Sequence, residues 1–179
     1  MIWFLSGGAK NGKSTLAQQL AKSCGGGGPL YYLATMIPHD REDDARIETH
    51  VRARAGWGFT TVECGADILS ALRTADPSGS FLLDSVTALL SNEMFPASGA
   101  PDAAAPGRVA AELELLARSV RSIVLVSDYL YADAARYGEW TERYRAGLAL
   151  VDRRLAALAD GAAELCCGCA WWYKGGFSE

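Results

Sequence analysis

The sequence predicts an α/β fold, a mostly parallel β-sheet with helices on both faces. Three observations lead there. Short apolar runs alternate with helix-like segments along all 179 residues. The runs Phe81–Leu83 and Ile123–Val126 hold no polar residue, as strands covered on both faces require. The first run leads into Gly7-Gly8-Ala9-Lys10-Asn11-Gly12-Lys13-Ser14, which fits G-x-x-x-x-G-K-[ST] between a strand and a helix. Together these describe a single P-loop NTPase-type domain spanning residues 1–179.

The elements follow in order. Ile2 to Leu5 is a strand ending in Ser6-Gly7-Gly8. Ser14 to Lys22 is a helix with Leu16, Ala17, Leu20 and Ala21 on one face, stopped by Gly25 to Gly28 and Pro29. Leu30 to Ala34 is a strand. Asp40 to Arg54 is a charged helix, acidic in its first turn, where the helix dipole favours carboxylates. Phe59 to Val62 is a strand, Ile68 to Ala75 a helix, Phe81 to Asp84 a strand and Val86 to Phe95 a helix. Residues 96–107, rich in Ala, Pro and Gly, read as a surface loop. Arg108 to Val120, Ile123 to Val126, Trp140 to Ala159 and Ala163 to Cys167 complete the chain as helix, strand, helix and a last strand.

Composition narrows the function. Half the residues are hydrophobic and 21% are charged, as in ordinary soluble globular proteins. The formal charge is −4, without the basic surplus of a nucleic-acid binder. No apolar run approaches the roughly 18 residues of a membrane span. Met1 to Leu5 lacks the basic flank of a secretory signal. Five cysteines, three of them crowded at Cys166, Cys167 and Cys169, make no ordinary disulfide framework and suit a reducing cytoplasm.

The glycine-rich loop carries the strongest chemistry. Gly7 and Gly12 let the backbone curl so that N–H groups converge on an anion, and the helix after it adds its positive end. Lys13 suits the β and γ phosphates, and as an exposed loop residue it is expected to have little packing role. The Ser14 hydroxyl suits Mg²⁺. Asp84 ends a strand at the crevice side of the sheet, where an acid can hold the same metal or cap the following helix. Arg46, His50 and Arg54 recur at helical spacing and form one stripe. A histidine between two cations stays neutral and nucleophilic, and the arginines attract a phosphate chain; a solvated basic face with a half-buried histidine is the plainer alternative. His39 is read as that plainer kind.

These residues resemble a known family. Ser6 to Ser14, Tyr32-Leu33-Ala34-Thr35, Ala45-Arg46-Ile47-x-x-His50, Thr61-Val62-Glu63, Leu82 to Thr87 with Asn92, and Val124 to Ser127 match the adenosylcobinamide kinase / adenosylcobinamide-phosphate guanylyltransferase family of cobalamin biosynthesis. Arg143-Tyr144-Arg145 and Leu155-Ala156 match in register. The resemblance implies two reactions. A nucleoside triphosphate, ATP or GTP, phosphorylates adenosylcobinamide. GTP then forms a covalent GMP-histidine at His50, and the GMP passes to the phosphorylated corrinoid. It places Ala34, Thr35, Arg54, Glu63 and Asp84 at the guanine-nucleotide site, beside the loop residues 7–14, with Lys13 and His50 catalytic and Ser14 and Asp84 on Mg²⁺. It also implies a homotrimer. A kinase of another small molecule, or a nucleotide-binding regulatory protein without transfer activity, shares the same loop. The stretch from Asp128 to Tyr137 departs from the family pattern, so a changed acceptor side is expected beside a retained nucleotide side. Tyr129, Tyr131 and Tyr137 there offer apolar faces with hydroxyl tips.

Cys166, Cys167 and Cys169 are expected in a buried final strand, and Trp171-Trp172-Tyr173 to pack the terminal segment or form an interface. Arg143 and Arg145 are expected on a solvated or interface face.

Overall fold

The computed structural model describes residues 1–38, 47–49, 51–52 and 54–176. Its elements are β1 (Ile2–Gly7), α1 (Lys13–Gly25), β2 (Leu30–Ala34), β3 (Phe59–Glu63), a 3₁₀ turn (Ile68–Ser70) running into α2 (Ala71–Thr74), β4 (Ser80–Asp84), α3 (Val86–Met94), α4 (Ala105–Ser119), β5 (Ser122–Asp128), α5 (Glu139–Leu158), β6 (Gly161–Cys166) and β7 (Cys169–Lys174). Residues 47–49 and 51–52 are helical; the rest of the expected charged helix up to Ala53, with Arg46 and His50, lies outside the described residues, as does His39.

One seven-stranded sheet runs β3-β2-β4-β5-β1-β6-β7. Every pairing is parallel except that of β6 with β7. Strand alternation sorts the apolar side chains to two faces. Trp3, Leu5, Leu82, Val124 and Val126 meet Ala17 and Leu20 of α1. Phe4, Phe81, Leu83, Ile123 and Leu125 meet Leu90, Leu113, Leu148 and Leu155 of α3, α4 and α5. Each fully buried large side chain contributes about 1.5–3 kcal/mol relative to exposure. The expected α/β architecture with helices on both faces is the one observed.

Two boundaries differ for physical reasons. α4 starts at Ala105, so residues 105–107 belong to the helix and not to the preceding loop. Pro106 sits in its first turn, where the missing N–H costs nothing and the fixed φ favours the helix. The chain does not end on a buried strand. Cys167 and Gly168 have positive φ, 51° and 80°, and turn β6 back into an antiparallel β7. Two consecutive positive φ values suit the tight hairpin turns that match strand twist. All three cysteines of that turn are therefore exposed. Trp172 packs edge-on against Trp3, ring centres 5.4 Å apart, whereas Trp171 and Tyr173 are exposed.

The sheet order decides where chemistry can occur. In register, Gly7 pairs with Asp128, Val126 with Asp84, and Ala34 with both Asp84 and Glu63. The carboxyl ends of β1, β5, β4, β2 and β3 thus bring Gly7, Asp128, Asp84, Ala34 and Glu63 to one edge.

Candidate functional site

A cavity of about 670 Å³ opens at that edge. Ala9 to Ser14 line it, together with Ala34, Arg54, Glu63 and Asp84 from the sequence reading. Tyr32, Met36, Ile47, Thr49, Ser85 and Asp128 also line it.

The loop residues act through backbone geometry. Gly7 has φ 150°, and a Cβ there would strike the backbone carbonyl of Leu165, so only glycine fits. Gly12 stands at φ 87° directly before α1 and opens the helix. This curl folds Lys13 back over its own loop. Its ammonium donates to the carbonyls of Gly7 (3.0 Å) and Gly8 (2.6 Å) and pairs with Asp128 Oδ1 (2.8 Å). Lys13 is buried, with 6% of its surface exposed, contrary to the expectation of an exposed loop lysine. The side chain of Asn11 accepts from the Cys167 N–H at 3.1 Å, which ties the loop to the β6–β7 hairpin.

Asp84 is the junction of the site. Ser14 Oγ donates to its Oδ2 at 3.0 Å and the Tyr32 hydroxyl donates at 3.1 Å. The helix-capping role falls to Ser85, whose hydroxyl accepts from the Ala88 N–H. Burial, and next the Asp84 charge, hold the Tyr32 hydroxyl far above its ordinary pKa, so it stays a donor. The Arg54 guanidinium stacks 4.0 Å from the centre of the Tyr32 ring and donates to Thr61 Oγ1 at 3.2 Å.

Thr35 stands apart from the other expected contacts. It is fully buried and does not line the cavity. Its hydroxyl accepts from the Ser85 N–H (2.7 Å) and donates to the Ser85 carbonyl (2.8 Å). Asn92 donates to the carbonyls of Thr35 and Gly65, both at 2.8 Å. These two residues join the ends of β2 and β4 and so hold Ala34 and Asp84 in place.

The segment after β5 is also held. Arg145, buried rather than solvated, donates to the carbonyls of Leu130, Asp133 and Ala135 and pairs with Asp133 and Glu142. Tyr129 and Tyr131 lie ring to ring at 5.4 Å over a second hollow of about 300 Å³. Tyr137 is half-exposed beneath the Arg145 guanidinium.

Asp152 lies buried behind this segment. Its Oδ2 accepts from Ser127 (3.0 Å) and Tyr131 (3.1 Å), while its buried Oδ1 has no hydrogen-bond partner among the described residues. Burial pushes its carboxyl up to about 7 from 3.8; the two hydrogen bonds oppose this, and the Asp128 charge adds to it. Across that interval the folded chain keeps a proton that the unfolded chain releases. Stability therefore falls as pH rises from about 4 to about 7, by up to about 1.4 kcal/mol per pH unit, and levels off above. Asp152→Asn is expected to flatten this part of the curve, measured by denaturant unfolding at a series of pH values.

Sequence reasoning missed Asp128 and Tyr32 as site residues. The signal for Asp128 was available, since an acid after an apolar strand in a parallel sheet faces the crevice as Asp84 does. Among the described residues, no group of three or more His, Cys, Asp and Glu side chains is placed to hold a metal ion. Nor is any helix among them long and apolar enough to cross a membrane.

The family model described as cobinamide kinase / cobinamide phosphate guanyltransferase matches residues 3–172. No curated protein matches the chain. Among solved structures, one ATPase domain is similar with a TM-score of 0.53 and 12% identity, over 92% of this chain and 69% of that one. The P4 protein from bacteriophage phi6, solved in complex with ADP, is similar with a TM-score of 0.52 and 17% identity, over 95% of this chain and 53% of that one. At such identities the likeness concerns the fold.

Proposed function

The chain belongs to the cobinamide kinase / cobinamide phosphate guanyltransferase family, and we propose on that premise that it carries out both transfers of the family name. In the first, ATP or GTP lies on residues 7–14 and the hydroxyl of adenosylcobinamide attacks the γ-phosphorus. The bond to the nucleoside diphosphate breaks and the hydroxyl proton is lost. In the second, a ring nitrogen of His50 attacks the α-phosphorus of GTP. A nitrogen–phosphorus bond forms and pyrophosphate leaves. A phosphate oxygen of adenosylcobinamide phosphate then displaces the histidine, giving adenosylcobinamide-GDP.

The observation that carries this reading is one cavity lined both by the phosphate loop with Asp84 and by Ile47, Thr49 and Arg54, which bracket His50 in sequence. Lys13 meets the β and γ phosphates, and Ala34, Arg54 and Glu63 border the guanosine end. Thr35 acts here by positioning Ala34 and Ser85. A hydroxyl and a carboxylate oxygen 3.0 Å apart, Ser14 and Asp84, fit the oxygen preference of Mg²⁺, which would neutralise phosphate charge. Residues 1–179 act as one cytoplasmic nucleotide-binding domain, assembled as a homotrimer.

The test is a pair of assays on the purified chain. Phosphate transfer to adenosylcobinamide and GMP transfer to adenosylcobinamide phosphate are each followed by mass spectrometry of the product. Both products are expected. Absence of both, with nucleotide binding intact, would contradict the reading; GMP bound to the protein without transfer would mean another acceptor.

A further inference from the structure

An ammonium has three hydrogens, and three acceptors surround that of Lys13. Two are the carbonyls of Gly7 and Gly8, which belong to the loop's own curl. The third, Asp128 Oδ1 at 2.8 Å, carries a charge and comes from a different strand. The Asp128 side chain is 33% exposed and lines the cavity from which a phosphate chain would approach.

This carboxylate is built into position. The Asp128 N–H donates to Thr87 Oγ1 at 2.8 Å, at the start of α3. The next N–H, of Tyr129, donates to the Gly7 carbonyl at 3.3 Å. Asp128 is also the register partner of Gly7 in the β1–β5 pair. The end of β5 is thereby stitched to the start of the phosphate loop, and the side chain between these bonds meets Lys13.

A phosphate chain that takes Lys13 as its counter-charge must displace Asp128 from the ammonium or share it. Two anions then compete for one largely desolvated cation, where like charges repel more strongly than in water. We propose that Asp128 sets the affinity of the phosphate loop: it neutralises Lys13, and the nucleotide binds by exchange with it. This rests on reading residues 7–14 as a triphosphate loop, but on neither the corrinoid acceptor nor guanylyl transfer. Because the competition concerns phosphates alone, it is blind to the base.

Calorimetric titration with ATP, GTP and guanosine, on the native chain and on Asp128→Asn, Asp128→Ser, Asp128→Glu and Lys13→Ala, tests it. Asp128→Asn and Asp128→Ser are expected to bind both triphosphates about tenfold tighter, by similar factors for the two, with guanosine unchanged. Asp128→Glu keeps the charge and should stay within about twofold of the native chain. A merely structural role would lower affinity and melting temperature together. Unchanged or weaker triphosphate binding in both neutral variants overturns the proposal. The lysine variant keeps the two failures apart. Native-like binding by Lys13→Ala means that the loop reading itself is wrong. Lost binding there, with no gain in the neutral variants, means that only the exchange is wrong.

Discussion

Lys13→Ala is expected to weaken triphosphate binding by about a hundredfold. Hydrogen bonds to charged groups are worth about 1.5–3 kcal/mol each, and a lysine bridging two phosphates makes at least two. A combined loss near 3 kcal/mol corresponds to about two decades of affinity. The same substitution carries a stability cost that an exposed lysine would not. It strips the Gly7 and Gly8 carbonyls and Asp128 of a buried partner, so melting should fall by the equivalent of about 1–3 kcal/mol. The chain should nevertheless remain folded, since the sheet and both apolar faces are untouched. Nucleotide titration beside a melting curve separates the two effects. Unchanged affinity would remove the phosphate loop from the account.

Asp84→Asn is expected to slow both transfers by about 10²–10³-fold while leaving nucleotide binding in the presence of a chelator within a few-fold. Asp84 Oδ2 receives Ser14 and Tyr32 together, so an asparagine carbonyl can keep both hydrogen bonds and the local packing. What it removes is the negative charge that suits a divalent ion. Single-turnover rates across a magnesium titration check this. The variant should need far more magnesium than the native chain. An unaltered magnesium dependence would assign Asp84 to positioning Ser14 and Tyr32 alone.

The sheet was legible because its central strands are wholly apolar: Phe81–Leu83 and Ile123–Val126 have few other ways to be buried. The phosphate loop was legible because its glycines and lysine stand at fixed spacing. The terminal hairpin was not. Cys-Cys-Gly-Cys reads as small buried residues by composition, whereas only the positive φ of Cys167 and Gly168 reveals a turn. Thr35 shares a motif with Ala34, yet alternation along the chain sends one to the cavity and the other into a hydrogen-bond pair with Ser85. Arg145 reads as a surface cation because sequence carries no sign of three carbonyls converging on it from residues 130–135. Long-range polar contacts of this kind arise from topology and leave no local periodicity.

The most direct test of the central claim is intact-mass and radiolabel analysis of the chain after incubation with α-labelled GTP and magnesium. The account predicts one GMP per chain, held by an acid-labile and alkali-stable phosphoramidate, with none in His50→Ala. No adduct on the native chain, or an undiminished adduct on His50→Ala, would contradict it.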